Sequence, residues 1–307
     1  MRSVSWLCPF GIVLVLLVGC SNEENSQTIP EPRETDFGGG TVGSGVDPST
    51  SGSSCYPSFE ELELNVATWN LEWFPQNGAT TWTKVKDIVE DLQADVIAVQ
   101  EINNPSQYRL LEQGLVGYEA AYSDVAYDQE LGFIYKRDAF KSFGNLVQLF
   151  DGDSYAFPRQ AVRADVVYAD GTELTLINIH LKCCNDGTDK DRRLKASQKL
   201  KSYIDVNLVG KAVIILGDWN DEISTGNSPF QNFKDDSNNY RFVDMNIAMG
   251  SSSDYSYPSW PSHLDHILIT NELFTKAGDG QTLKLESCVS SYSSDVSDHR
   301  PVLASFR

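Results

Sequence analysis

The side chains able to do chemistry in this sequence fall at one recurrent place, the end of a short apolar run. Asn70 closes the run from Leu64, and Glu101 follows Val96-Ile97-Ala98-Val99-Gln100. His180 follows Leu176-Ile177-Asn178-Ile179, and Asp218 and Asn220 follow Val213-Ile214-Ile215-Leu216-Gly217. Asp298 and His299 stand just before the last apolar run of the chain. Any one of these alone fits a turn or a cap. As an ordered set they fit a common cleft, because strand ends on a rigid sheet aim side chains at one point. Glu101 is a hard oxygen donor. With Asn70 and Asp298 it suits Mg²⁺, which keeps several waters and takes few protein ligands; Mn²⁺ or Ca²⁺ is also admissible. Asp218 suits orienting or deprotonating a water. Asn220 is a donor that adds no charge. Asp298 beside His299 fits a carboxylate–imidazole pair in which Asp298 orients the ring and raises its pKa. His180 suits donation to a nonbridging oxygen or to a leaving group. Together these are the parts needed for in-line attack of water on a phosphodiester, where charge grows on the phosphoryl and leaving oxygens.

The elements that must position these residues can be read from periodicity. Strand-like runs cover Leu64 to Asn70, Val96 to Gln100, Leu131 to Tyr135, Ala161 to Tyr168, Leu174 to Ile179, Val213 to Leu216, Leu264 to Ile269 and Pro301 to Phe306. Asp170-Gly171 is a hairpin signal joining two of them. Val85, Ile88, Val89 and Leu92 give Thr83 to Leu92 a helical stripe. Arg192 to Val206 is a second amphipathic helix, with Leu194, Ser197, Leu200, Lys201 and Ile204 along one side. Many strands, few helices and no strict interleaving predict an α+β sandwich rather than a doubly wound sheet.

Placed on these elements, the motifs resemble those of the endonuclease/exonuclease/phosphatase superfamily. Ala67 to Phe74 (ATWNLEWF) resembles its first motif, and Gln100-Glu101 its QE motif. Asn178 to Lys182 resembles the strand-ending histidine motif, and Gly217-Asp218-Trp219-Asn220 the GD-aromatic-N motif. Leu264-Asp265-His266-Ile267 is similar to IDYI, and Ser297 to Val302 to the terminal SDHxPV. No single motif is specific, but the order is, and it spans about Leu64 to Phe306. The resemblance implies a four-layer α/β/β/α sandwich of two packed mixed sheets with the site at one edge. It implies catalytic roles for His180, Asp218, Asn220, Asp265, Asp298 and His299, with Asp265 the acidic partner of a site histidine. It leaves open which histidine is the acid. Glu72 matches an acidic position near the metal in some members, and Glu130 an acid that buttresses His180. Arg159, before Gln160-Ala161, resembles a phosphate-contacting arginine of deoxyribonuclease-like members, a geometry that a planar guanidinium suits. Asn220 is the second expected substrate contact. His263 stands where an arginine is common; it and His266 are expected to be structural or rim residues, not zinc ligands.

Composition bounds the partners. The formal net charge of −19 opposes tight nonspecific binding to a phosphate backbone. A cation in a carboxylate site reverses that field locally. Phe10 to Val18 is an apolar run of about nine residues, too short to span a bilayer. Leu17-Val18-Gly19-Cys20 follows and resembles a bacterial lipobox. The expected organisation is therefore a lipoprotein signal over 1–19, a Gly/Ser-rich linker over 20–58 starting at a lipidated Cys20, and one domain over 59–307. That places the protein in the cell envelope, membrane-anchored, facing periplasm or exterior, and monomeric. Cys55, Cys183, Cys184 and Cys288 remain for disulfides, with three connectivities open. The adjacent Cys183 and Cys184 are expected each to pair with a distant partner.

Three functions fit. The first is a nuclease on extracytoplasmic nucleic acid, favoured by Arg159 and by Trp69, Trp73 and Trp219 near the motifs. The second is a phosphoesterase on phospholipid head groups or inositol phosphates, mildly favoured by the lipid anchor and the acidic charge. No clear aromatic membrane hairpin is evident for that role. The third, a binding protein on the same scaffold, is opposed by a complete motif set.

Overall fold

A computed structural model describes residues 55–60, 63–124 and 129–307. The expected signal, Cys20 and most of the linker lie outside the described residues. No described helix is long and apolar enough to cross a membrane.

The elements run β1 (Leu64–Phe74), α1 (Ala79–Leu92), β2 (Val96–Ile102), α2 (Pro105–Gly114), β3 (Tyr118–Tyr122), β4 (Glu130–Lys136), β5 (Phe140–Phe143), β6 (Val147–Leu149), β7 (Ala161–Tyr168) and β8 (Glu173–His180). They continue with α3 (Gly187–Asn207), β9 (Val213–Asp218), α4 (Gln231–Lys234), β10 (Tyr240–Phe242), α5 (Met245–Ala248), β11 (Asp265–Thr270), β12 (Gln281–Thr282), α6 (Tyr292–Asp295) and β13 (Val302–Phe306). One sheet has the order β12-β13-β1-β2-β4-β3; the other is β10-β11-β9-β8-β7-β5, with β6 also on β7. β1/β2 and β8/β9 are the parallel pairs, joined by α1 and α3 respectively. A parallel pair needs such a crossover.

Strand alternation explains the layering. Val66, Ala98 and Phe133 of the first sheet meet Ala164, Leu176 and Leu216 of the second in a central core. Their neighbours on the opposite face, Ala67, Trp69, Ile97 and Val99, pack under Val85, Ile88 and Leu92 of α1. Ile177, Ile179 and Ile215 pack under Ala196, Leu200 and Ile204 of α3. The result is the expected sandwich: two packed mixed sheets with helices outside.

Three features differ from the sequence reading. α3 begins at Gly187, where Asp186 and Asp189 form a capping box. Its buried face is Asp189, Arg193, Ala196, Ser197, Leu200 and Ile204, so Arg193 replaces the expected Leu194 and Lys201. Cys55 and Tyr56, assigned above to the linker, pack against the domain, and Cys55 forms a disulfide with Cys288. Cys183 and Cys184 have no distant partner; both are free, because Cys55 and Cys288 satisfy one another.

Candidate active site

The C-terminal ends of the two parallel pairs meet at one edge of the sandwich. Asn70 is in register with Gln100 across β1 and β2, which places Glu101 next to it. His180 is in register with Asp218 across β8 and β9, and Asp218 with Asp265 across β9 and β11. Gly217 permits this spacing, since a Cβ there would lie 2.0 Å from the Ile179 carbonyl oxygen. Beneath the edge the two sheets are bridged by Gln100 and Asn178. Gln100 Nε2 donates to Asn178 Oδ1 at 2.8 Å, and Asn178 Nδ2 donates to the Val99 and Gly132 carbonyls.

A cavity of about 740 Å³ opens at this edge, lined among others by Glu72, Glu101, His180, Asp218, Asn220 and His299. The register of β1 on β2 shifts between Asn70 and Phe74, and that of β2 on β4 between Val99 and Ile102. Such bulges re-aim side chains. Of the nine described non-glycine residues with positive φ, five line this cavity: Glu72, Trp73, Glu101, Cys184 and Asn220. Left-handed backbone costs on the order of 1–3 kcal/mol per residue and gathers at functional sites.

His299 is held by Asp265: Nδ1 and Asp265 Oδ2 are 2.7 Å apart. The sequence reading gave Asp298 the orienting role. Asp298 Oδ1 instead lies 3.9 Å from the other ring nitrogen, too far for a hydrogen bond. Burial alone would lower the His299 pKa. Asp265, and then Asp218 and Asp298, outweigh it and raise it to about 10. The Asp218 carboxyl is pushed up to about 7, by burial first and then by Asp265. His180 is held well below the usual imidazole range by burial, then by Arg159 and His299, and is the neutral ring of the pair. Its Nε2 is 3.5 Å from Asp218 Oδ2 and 3.7 Å from Glu101 Oε1. Its Nδ1 is buried without a partner, so Glu130, which accepts from Ser123 Oγ, does not buttress it.

Asn70 enters the cluster through its amide nitrogen, which donates to Glu101 Oε1 at 3.1 Å and to Asp218 Oδ2 at 3.0 Å. Its oxygen accepts from the Glu72 backbone at 2.9 Å. Through its amide N–H groups the Asn70 side chain thus spaces two carboxylates, and its oxygen keeps a second lone pair. Glu101 also accepts from the Trp73 backbone at 3.0 Å, and Glu72 from the Asp298 backbone at 2.8 Å. Burial and then Asp298 raise the Glu72 pKa. Burial raises that of Asp298, with a further contribution from Glu101. All three are hard-oxygen acids lining the cavity, the kind of donor a small divalent cation takes.

Arg159 does not line the cavity. Its Nη2 donates to the Leu181 carbonyl at 2.7 Å, which also accepts from Asn220 Nδ2 at 3.2 Å. Trp69 and Trp219, read above as aromatics near the motifs, are fully buried in the two outer cores. Trp73 is 51% exposed at the cavity. Trp260, which the sequence reading missed, is 77% exposed beside it. His263 and His266 are buried and share Asp244, at 2.8 and 2.6 Å. His266 Nε2 reaches the Asp221 carbonyl at 3.0 Å. Both His266 nitrogens thus face acceptors, the arrangement of a doubly protonated strut.

The two-sheet sandwich and this edge site define a class. The sequence profile of the endonuclease/exonuclease/phosphatase family matches residues 67–299, and the chain belongs to that family. Members of the family are divalent-metal dependent. No curated protein sequence matches the chain. Solved structures share its fold. D. rerio TDP2 complexed with single-strand DNA product has a TM-score of 0.62 at 17% identity, covering 80% of this chain and 100% of that one. An endonuclease/exonuclease/phosphatase from Bacteroides vulgatus has a TM-score of 0.61 at 16% identity, covering 80% and 98%. An AP endonuclease from Archaeoglobus fulgidus has a TM-score of 0.58 at 14% identity, covering 79% and 99%.

Proposed function

We propose that this chain is an Mg²⁺-dependent phosphodiesterase whose substrate is nucleic acid, most simply as an endonuclease; Mn²⁺ and Ca²⁺ are admissible in its place. The observation that carries the reading is the Asp265–His299 pair set beside Asp218, facing the Glu72, Glu101 and Asp298 acids across one cavity. Those three acids would hold the cation, which supplies Lewis-acid charge neutralisation at the phosphoryl group. Asp218, with a carboxyl near neutrality, orients the water and accepts its proton. His299, charged and locked by Asp265, presents Nε2–H to a phosphoryl or leaving oxygen. Neutral His180 donates a hydrogen bond to a nonbridging oxygen. Asn220 spends one amide proton on Leu181 and has a second for the phosphoryl group. Arg159 adds positive charge behind Asp218 and Glu101 rather than a direct contact. The DNA held by the D. rerio TDP2 structure and the exposed Trp73 and Trp260 support nucleic acid as the substrate. We further propose that the chain acts as a monomer in the cell envelope, anchored through lipidated Cys20.

Supercoiled plasmid incubated with the purified protein tests this, with Mg²⁺, with EDTA, and with His299→Ala. Metal-dependent nicking that the variant loses is the expected result. An intact plasmid beside turnover of bis-p-nitrophenyl phosphate would move the substrate to a lipid or inositol phosphoester. Inactivity on both would overturn the enzymatic reading.

A further inference from the structure

We propose that Cys183 and Cys184 are a redox couple, alternating between dithiol and vicinal disulfide, that controls the mouth of the active-site cavity. Its effect on turnover rests on the phosphodiesterase reading above; formation of the disulfide does not.

The two residues sit in the segment between β8 and α3, and both line the cavity. Their sulfurs are 3.0 Å apart, about 1 Å beyond bonding distance. Cys184 is exposed and Cys183 half-buried, so an oxidant meets Cys184 first and Cys183 is the resolving thiol. The Lys182 ammonium lies 3.4 Å from the Cys183 sulfur, where it faces the charge that this sulfur carries when it attacks. Adjacent Cα atoms are about 3.8 Å apart across a trans peptide, closer than disulfides prefer. Strained disulfides are the easily reduced, regulatory ones. Cys55–Cys288, at a Cα separation of 6.2 Å, lies in the ordinary range and serves as the internal contrast.

The segment is wired to the site by its carbonyls. Leu181 O is held by Arg159 and Asn220. Lys182 O and Cys184 O are both held by Arg193 Nη1, at 2.7 and 2.8 Å. Arg193 in turn pairs with Asp221 at 2.9 Å, next to Asn220. Cys184 already has left-handed backbone, with φ 77°. Closing the ring turns the peptide between the cysteines, whose Cys183 carbonyl accepts from Lys182 Nζ at 2.9 Å, and pulls on the next peptide, whose Cys184 carbonyl Arg193 holds. The disturbance passes to Asp221 and Asn220, so the dithiol is the active form.

The chemistry balances with a small disulfide, such as oxidised glutathione, as oxidant. Cys184 thiolate attacks one of its sulfurs and releases one thiol, leaving a mixed disulfide. Cys183 thiolate attacks the Cys184 sulfur and displaces the second thiol. Two electrons and two protons leave the protein, and the oxidant becomes two thiols.

The test treats the full chain with oxidised glutathione, alkylates remaining thiols, and maps the peptides by mass. The expected product is a Cys183–Cys184 peptide lacking two hydrogens, with no retained glutathione and with Cys55–Cys288 unchanged. Turnover of bis-p-nitrophenyl phosphate falls by about 10- to 100-fold, as for a misplacement near 1 Å, and dithiothreitol restores it. Cys184→Ser gives the same rate with and without oxidant, whereas Cys183→Ser, lacking the resolving thiol, retains glutathione on Cys184. Cysteines that remain fully alkylatable, a stable glutathione adduct as the end product, or equal turnover of both forms would overturn the proposal. If the reduced protein turns over no phosphodiester, the functional reading fails alone. Hydrogen exchange over residues 181–193 then decides: oxidation-dependent loss of protection upholds the switch, and unchanged exchange ends it.

Discussion

Asp265 Oδ2 and His299 Nδ1 stand 2.7 Å apart although 34 positions separate them in the chain. One residue opens β11 and the other precedes β13, so the pair joins the two sheets at the site. Asp265→Asn removes the charge that keeps His299 protonated. A positioned acid–base group is worth roughly 10²–10⁴ in rate, and a loss in kcat of that order is expected. The His299 pKa is raised, so its contribution to stability is complete below the unfolded value and is lost as pH rises through about 10. In the variant that alkaline loss, followed by thermal unfolding against pH, moves to lower pH. An unmoved alkaline limb would show that Asp265 does not hold the charge.

Asn70 separates two accounts of the cation site. As a ligand through oxygen, it would tolerate Asn70→Asp and bind the cation more tightly. As the donor that spaces Glu101 and Asp218, it would not, since a third carboxylate would join two it had bridged. The expected outcome is a 10- to 100-fold loss of Mg²⁺ affinity by calorimetry, roughly the cost of removing an orienting partner.

Asp218 carries a cost to the fold. Its folded pKa is raised to about 7, so above that pH the buried charge subtracts stability that would be recovered as pH falls. Asp218→Asn removes the charge and keeps the shape. The expected result is an inactive protein whose Tm at pH 8 is higher by about 2–4 °C, for roughly 1 kcal/mol in a domain of this size. A lower Tm would show the charge to be stabilising.

Trp260 is exposed and holds little of the core, so Trp260→Ala is expected to leave Tm unchanged. Stacking is worth roughly 1–3 kcal/mol per base. KM for a single-stranded oligonucleotide is therefore expected to rise roughly 5- to 100-fold, with kcat little changed. An unchanged KM would remove Trp260 from the substrate path.

The strand-end residues were legible because each borders a mostly apolar run, and the pattern also carried the sandwich. Long-range partners were not, from the residues alone. Asp298 is the chain neighbour of His299 and was paired with it on that ground; the partner that holds the ring, Asp265, comes from another strand and was anticipated only through the family resemblance. Arg193 reads as surface charge until the helix is seen to begin at Gly187, with Asp221 opposite the side chain. Trp69 and Trp219 shared their motifs with site residues, but strand alternation and the turn after β9 point them into the outer cores. Trp260 lies in a segment without periodicity and left no signal. The cysteine pairing rested on an even count alone.

The Gln100–Asn178 bridge sets the alignment of the two halves of the site. Asn70 and Glu101 ride on one sheet, His180 and Asp218 on the other. Two greasy faces in contact resist separation far better than they resist sliding, because burial is indifferent to direction. A directional bond across the gap acts as a dowel. It turns lateral slip between the sheets into the breaking of a buried polar contact. An apolar pair of equal volume in its place would leave the sandwich standing with its two halves free to drift out of true.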